Sequence, residues 1–316
     1  MSNGTGLRTP PYPTSLPKGE GTRRATSDVI LKWSFIAPTL IFLIALNIFP
    51  LLYNIILSFT NANLSSDAHR FVGGQNYARI FSNPVFAQSI RTTALFVFFS
   101  VTIELGLGFV LALALKKNFF GKTIVLTVLL IPMMLSPAVM GLYWNLILNG
   151  SYGVLNQVLG AMHLPQPQWT TDPSLKLIAL VMVDVWMWTP FMMLIALAGL
   201  NAIPNYIYEA AEIDRASRWM AFRRITLPMC APLLLLAVLL RATDALKQFD
   251  LVMAITGPND PSTQTLSALL YQVSLRNLQL GLSGGFSIVV LVIVIALASV
   301  FVRYLDALGK RQGKFS

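Results

Sequence analysis

Three apolar stretches of this chain carry ionisable or amide side chains where hydrocarbon residues otherwise prevail. One holds Glu104. A second holds Asp184, Trp186, Met187, Trp188, Thr189, Pro190 and Phe191, and a third holds Arg241, Asp244, Lys247, Gln248 and Asp250. Carboxylates and amides hydrogen-bond to hydroxyls, and aromatic rings cover C–H surfaces, so this set has the chemistry to bind a polyhydroxylated solute. Asp184 and Trp188 are four apart and share a helix face, as do Asp244 and Gln248. Pro190 frees a backbone carbonyl and bends a helix, which is tolerated where helices line a cavity. Other readings stand beside these. Glu104, next to Gly106 and Gly108, suits an interhelix hydrogen bond with close packing. The tryptophans suit an interfacial belt, although Asp184 lies deeper than a belt requires. Arg241, Asp244 and Lys247 suit internal ion pairs.

No catalytic constellation accompanies them. The chain lacks a G-x-x-x-x-G-K phosphate loop, so it is not expected to bind ATP itself. His69 and His163 have no metal-like spacing around them and read as loop residues. The single Cys230 makes an intrachain disulfide impossible. No catalytic residue, metal site or cofactor is expected.

The elements that position the polar residues are long and apolar. Of 316 residues, 55% are hydrophobic and 11% charged, against about 25% charged in soluble domains. A bilayer core of ~30 Å takes roughly 20 apolar residues per helix, and six segments qualify: about 33–59, 92–115, 123–148, 175–200, 229–255 and 286–302. They lack the alternating polarity of barrel strands. The expected fold is therefore an all-α, polytopic membrane protein. Residues 1–32, with Pro10, Pro11, Pro13 and Pro17, read as a disordered basic tail, 33–305 as the membrane domain, and 306–316 as a second basic tail. The first apolar run is too long for a cleaved signal peptide and reads as an uncleaved helix. Of the 23 basic residues, sixteen fall on the side that bears both termini, and five on the other. The positive-inside rule places both termini, and the 201–228 loop, in the cytoplasm. The net charge of +10 belongs to membrane flanks and implies contact with lipid, not nucleic acid.

The 201–228 loop is unusually organised for a connector. Pro204 and Pro228 bracket it, and Tyr206–Asp214 is rich in helix formers. Ser217 is placed to cap a second short helix carrying Trp219, Phe222 and Ile225 on one face. Small residues at Ala210 and Ala211 allow close approach, and Glu209 can make charge-assisted hydrogen bonds to a partner. A salt-bridged surface loop, with Glu212 beside Arg215, is the alternative.

Glu209-Ala210-Ala211, Asp214, Ala216, Phe222, Ile225, Leu227 and Pro228 resemble the EAA loop of ABC-importer permeases. Phe71 through Tyr77, Ser151 through Asn156, Trp186 through Phe191 and Phe249-Asp250-Leu251 resemble segments of the maltose/glycerol-phosphate branch. The likeness covers roughly 33–305 and is nearest the first permease subunit of that branch. It implies a type I permease fold of six helices in the bacterial inner membrane and transport by alternating access. It also implies a cytoplasmic dimer of ATP-binding subunits that carries ATP and Mg, a second homologous permease, and a periplasmic solute-binding protein. In the family the loop is the coupling helix, which assigns Glu209, Ala210, Ala211, Asp214, Arg215 and Ala216 to ATPase coupling. Arg215 departs from the pattern, which has Gly there. Carried over by position, the sugar pathway comprises Met133, Pro137, Asp184, Trp186, Met187, Trp188, Phe191, Arg241, Ala245 and Gln248. An importer for another small solute, or an ion-coupled transporter using Asp184, Asp244 and Asp250, are the alternative functions.

Overall fold

A computed structural model describes residues 20–65 and 70–312. The expectation for His69 lies outside the described residues, as does that for 1–19. The chain divides into two units, Met1–Asn54 and Ile55–Ser316. The described residues of the first form one helix, α1 (Glu20–Leu43), extended by a π turn, Ile44–Ile48, and by Phe49–Ser58. Its apolar side chains, among them Phe35, Phe42 and Phe49, are exposed, as suits a helix in lipid. Helix begins at Glu20, well inside the tail expected to be disordered up to residue 32. The last proline of the tail is Pro17, and 20–32 continues the helical hydrogen-bond ladder of the span.

The second unit holds α2 (Gln75–Ser82), α3 (Pro84–Leu115), α4 (Lys122–Leu130), α5 (Pro137–Ile147), α6 (Val154–Ala161), α7 (Pro173–Asn201), α8 (Asn205–Ile213), α9 (Arg218–Ala245), α10 (Asp250–Ile255), α11 (Leu266–Tyr271) and α12 (Leu280–Gln312). Five helical stretches are long and apolar enough to cross a membrane: Leu31–Ser58, Pro84–Leu115, Pro173–Asn201, Arg218–Ala245 and Leu280–Ala307. Two expected spans depart from a single helix. The segment 123–148 is α4 and α5 joined through the 3-10 turn Pro132–Met134, because Pro132 and Pro137 remove N–H donors and start new turns. The segment 229–255 stops at Ala245 and resumes at Asp250.

Pro228 does not end the helix as expected. A π turn, Phe222–Thr226, precedes it and the helix runs on to Ala245. The turn Ile44–Ile48 stands in the same relation to Pro50. Proline clashes with the carbonyl four residues back, and widening the turn relieves that clash.

α7 is the hub, packed most extensively against α3 and also against α9. Gly108 makes the α3 contact close: a Cβ there would lie 2.7 Å from Met192 Cβ and 2.8 Å from the Met193 N. Gly106 meets nothing within 4 Å and has no such role.

The connectors are held by buried amides. Asn76 Nδ2 donates to the carbonyls of Ser58 and Thr60, both at 2.8 Å. Asn156 Nδ2 donates to Gly150 and Pro167, while its Oδ1 accepts from Trp169 Nε1 at 2.9 Å. His163 is exposed and takes φ 58° just past α6, which agrees with a loop role. Asp260 pairs with Lys176 at the start of α7 and accepts from Ser262 Oγ at 2.8 Å. Burial favours the protonated carboxyl of Asp260, but Lys176 and Ser262 outweigh it and hold the group below its ordinary 3.8. The folded state thus binds this proton less readily than the unfolded chain. The pair's stabilisation is full above the ordinary carboxylate range and is lost as pH falls through the lower folded value. Asp260→Asn is expected to cost on the order of 1 kcal/mol at neutral pH. Thermal-unfolding curves of variant and wild type should converge as the pH is lowered through that range.

Candidate functional site

Three helices meet at Arg241. Its Nε donates to Glu104 Oε2 at 2.9 Å and its Nη2 to Glu104 Oε1 at 3.1 Å, a bidentate pair between α9 and α3. Nη2 also bonds Asp184 of α7, and Nη1 reaches Asp244 at 3.3 Å. Arg241 is 1% exposed, and Glu104 and Asp184 are 0% exposed. Burial of isolated charges is prohibitive, so each side chain depends on the others being present. The guanidinium also lies over the Trp188 ring, 4.9 Å from its centroid. The interhelix role of Glu104 and the Arg241–Asp244 ion pair follow the expectation. Lys247 makes no ion pair among the described residues.

On the open side of this cluster lies a cavity of about 210 Å³ lined by Pro137, Trp188, Asp244, Lys247, Gln248, Phe249 and Asp250. The break after Ala245 creates it, turning successive residues off the helical path. The freed backbone is satisfied locally. Thr265 Oγ1 donates to the Gln248 carbonyl at 3.0 Å, the Phe249 N–H donates to Gln248 Oε1 at 3.1 Å, and Asn145 Nδ2 donates to Ile255 O at 2.7 Å. Gln248 Nε2 donates to Asp184 Oδ1 at 3.2 Å. Its amide is thereby fixed, with a second N–H and a second lone pair still to offer. The Trp188 Nε1 is buried without a partner among the described residues.

The remaining pathway candidates are spread around this cavity. Asp184 and Arg241 stand directly behind it, and Phe191 meets the Trp188 ring edge-on at 6.4 Å between centroids. Met187 and Ala245 are wholly buried in the core. Trp186, two residues from Trp188 and so turned away from it, packs on Trp144 at 5.4 Å. It lines a separate apolar groove of about 600 Å³ with Pro132, Pro190 and Met193. Met133 sits half-buried on the 3-10 turn, off the cavity. Asp244, Lys247, Phe249 and Asp250 line the cavity but are absent from the pathway positions that the family resemblance assigns. The sequence signal for Asp244, Lys247 and Asp250 is their place in the third polar stretch, and for Phe249 it is the Phe249-Asp250-Leu251 motif.

At the 201–228 end, α8 closes with a Schellman turn: Arg215 N donates to Glu212 O at 3.0 Å and Ala216 N to Ala211 O at 2.9 Å. This requires Arg215 to adopt φ 57°, the left-handed conformation that glycine takes without penalty. The departure from the family's Gly thus leaves the turn intact at a cost. Arg215→Gly is expected to raise stability by about 1 kcal/mol, read as an increased Tm of the purified protein. Ser217 caps the next turn, accepting from Met220 N at 3.2 Å. Glu209, Ala210, Asp214 and Arg215 are exposed, Ala211 and Ala216 half-buried. None of the loop's charges forms an ion pair among the described residues, contrary to a salt-bridged surface loop. The hairpin is held instead by Tyr208 Oη against Thr226 Oγ1 at 2.9 Å and by Lys116 over the Tyr208 ring.

Apolar helices of membrane-crossing length around a buried ionic cluster, with a polar cavity beside it, fit a membrane transport subunit. Residues 104–314 match the family of binding-protein-dependent transport system inner membrane components, and this chain belongs to it. It is accordingly a permease of the inner membrane and not an enzyme. It is 38% identical over 234 residues to the trehalose/maltose transport system permease protein MalF of Thermococcus litoralis, covering 74% of this chain and 79% of that one. It is 31% identical over 278 residues to the trehalose transport system permease protein SugA of Mycobacterium tuberculosis, covering 88% and 89%. A chain of a bacterial alginate ABC transporter, solved with an alginate pentasaccharide-bound periplasmic protein, superposes with a TM-score of 0.78 at 20% identity. That match covers 88% of this chain and 94% of the other. The fold is that of a type I ABC-importer permease.

Proposed function

We propose that this chain is the first, maltose-type permease of an ATP-driven importer for a sugar or polyol, working by alternating access. The observation that carries this is the cavity at the α9–α10 break. It sets the aromatic Trp188 and Phe249 beside the polar Asp244, Lys247, Gln248 and Asp250, the combination that C–H faces and hydroxyls require. The named substrates of the two relatives, trehalose and maltose, are neutral disaccharides and support the same reading. In it, both termini and the 205–217 hairpin are cytoplasmic and α4–α5 together make the sixth crossing. A periplasmic binding protein delivers the sugar, and a second permease completes the path. The exposed Glu209, Ala210 and Ala211 seat in a dimeric ATP-binding subunit, which holds ATP and Mg. Arg241 already engages Asp184 and Asp244, together with Glu104, in ion pairs, which argues against an ion-coupled relay through them. The test is uptake of labelled trehalose and maltose by the reconstituted complex. Gln248→Ala and Trp188→Ala are each expected to lower uptake roughly tenfold, the loss of about one hydrogen bond or ring contact, with the complex still assembled. Normal uptake by both variants would move the sugar path elsewhere.

A further inference from the structure

The segment 116–122, Lys-Lys-Asn-Phe-Phe-Gly-Lys, joins α3 to α4. Gly121 turns it at φ 83°, and two aromatic rings and three ammonium groups fall within its seven residues. Phe120 is fully exposed and Phe119 nearly half exposed. Lys116 lies 4.3 Å from the Tyr208 ring centroid, and Lys122 Nζ donates to Asn118 Oδ1 at 3.2 Å. No carboxylate pairs with Lys116, Lys117 or Lys122 among the described residues. Phe109 of α3 packs on Phe222 at 6.0 Å between centroids, and Trp219 stacks on Phe222 at 5.5 Å while remaining largely exposed. These contacts bring the end of α3 beside the first turns of α9, where Arg223 and Arg224 are also exposed and unpaired among the described residues. Cations and bare aromatic rings therefore gather where membrane-length helices leave their apolar zone.

Neither half of this surface is explained alone. A soluble acidic partner would use the cations but leave Phe119 and Phe120 bare in water, and an apolar partner would strand the cations. The boundary of an anionic leaflet satisfies both, because aromatic rings settle at headgroup level and basic residues beside it are drawn to phosphate. We propose that this surface is a seat for anionic phospholipid headgroups. Lys116, Lys117, Lys122, Arg223 and Arg224 contact the phosphates, and Phe119, Phe120 and Trp219 enter the boundary between headgroups and acyl chains. Lys116 also covers Tyr208 of α8, so the seat ties the 205–217 hairpin to the leaflet.

The test is the lipid retained by the full chain, with whatever subunits co-purify, after release from nanodiscs of equal phosphatidylglycerol and phosphatidylcholine. Native mass spectrometry is expected to find phosphatidylglycerol favoured by about tenfold or more. Lys117→Gln with Lys122→Gln, and separately Arg223→Gln with Arg224→Gln, should lower that preference by roughly fivefold per charge at most. Lys116 is spared because its contact with Tyr208 supports the hairpin, and the second pair keeps the test open if the first fails to fold. Arg303→Gln, a cation outside the seat, should leave the preference unchanged. Equal retention of the two lipids, or a preference unmoved by both paired variants, would overturn the proposal. So would loss of a co-purifying soluble subunit with the lipid preference intact, which would assign the surface to a protein.

Discussion

Arg241→Met is expected to remove roughly 3–5 kcal/mol of stability, the cost of leaving buried carboxylates without their cation. That is a large fraction of the 5–15 kcal/mol typical of a folded protein, so little folded permease should be recovered. The size follows from geometry. Arg241 makes a bidentate pair with Glu104 and bonds Asp184, and neither carboxylate is exposed. Asp244, whose side chain is 55% exposed, retains water and adds little. Adding Glu104→Gln and Asp184→Asn to Arg241→Met should restore part of the loss, because the charges that needed the guanidinium are gone. Thermal unfolding with size-exclusion profiles reads both effects. An unchanged Tm for the single variant would mean that the cluster does not hold α3, α7 and α9 together.

Glu209→Lys is expected to leave folding untouched and to abolish substrate-stimulated ATP hydrolysis. Glu209 is exposed and forms no ion pair among the described residues, so no internal interaction is lost by changing it. Its only proposed partner is the ATP-binding subunit, where reversing a charge in a docked contact costs about 2 kcal/mol or more. Yield and Tm should match wild type while stimulation by loaded binding protein disappears. Stimulation at the wild-type level would remove Glu209 from the coupling path.

Much of this was readable from the residues because it depends on local rules. Long apolar runs located the five continuous helices, Ser217 announced its cap, and the run from Tyr206 announced α8. What was not legible depends on partners distant in sequence. Glu104 and Arg241 are 137 positions apart, and no periodicity pairs them. Prolines misled in both directions. Pro228 reads as a helix stop, yet a π turn carries the helix past it, whereas Pro132 and Pro137 split a segment whose length alone reads as one span. The break after Ala245 has no proline or glycine to mark it. A helix continued through it forms no cavity, so the wall made by Asp244, Lys247, Phe249 and Asp250 does not follow from their spacing. Asp184 looked like a lining residue because it shares a face with Trp188. Packing against Arg241 instead places it behind the wall, where it fixes the amide of Gln248.

In the proposed function this chain conducts a sugar only when an ATP-hydrolysing partner drives it. The most direct test places the complete complex in proteoliposomes and follows labelled trehalose and maltose, with ATP inside or absent, with ion gradients intact or collapsed. Uptake is expected to require the binding protein and ATP and to survive collapse of the gradients. Uptake by this chain alone, driven by a gradient and indifferent to ATP, would contradict it.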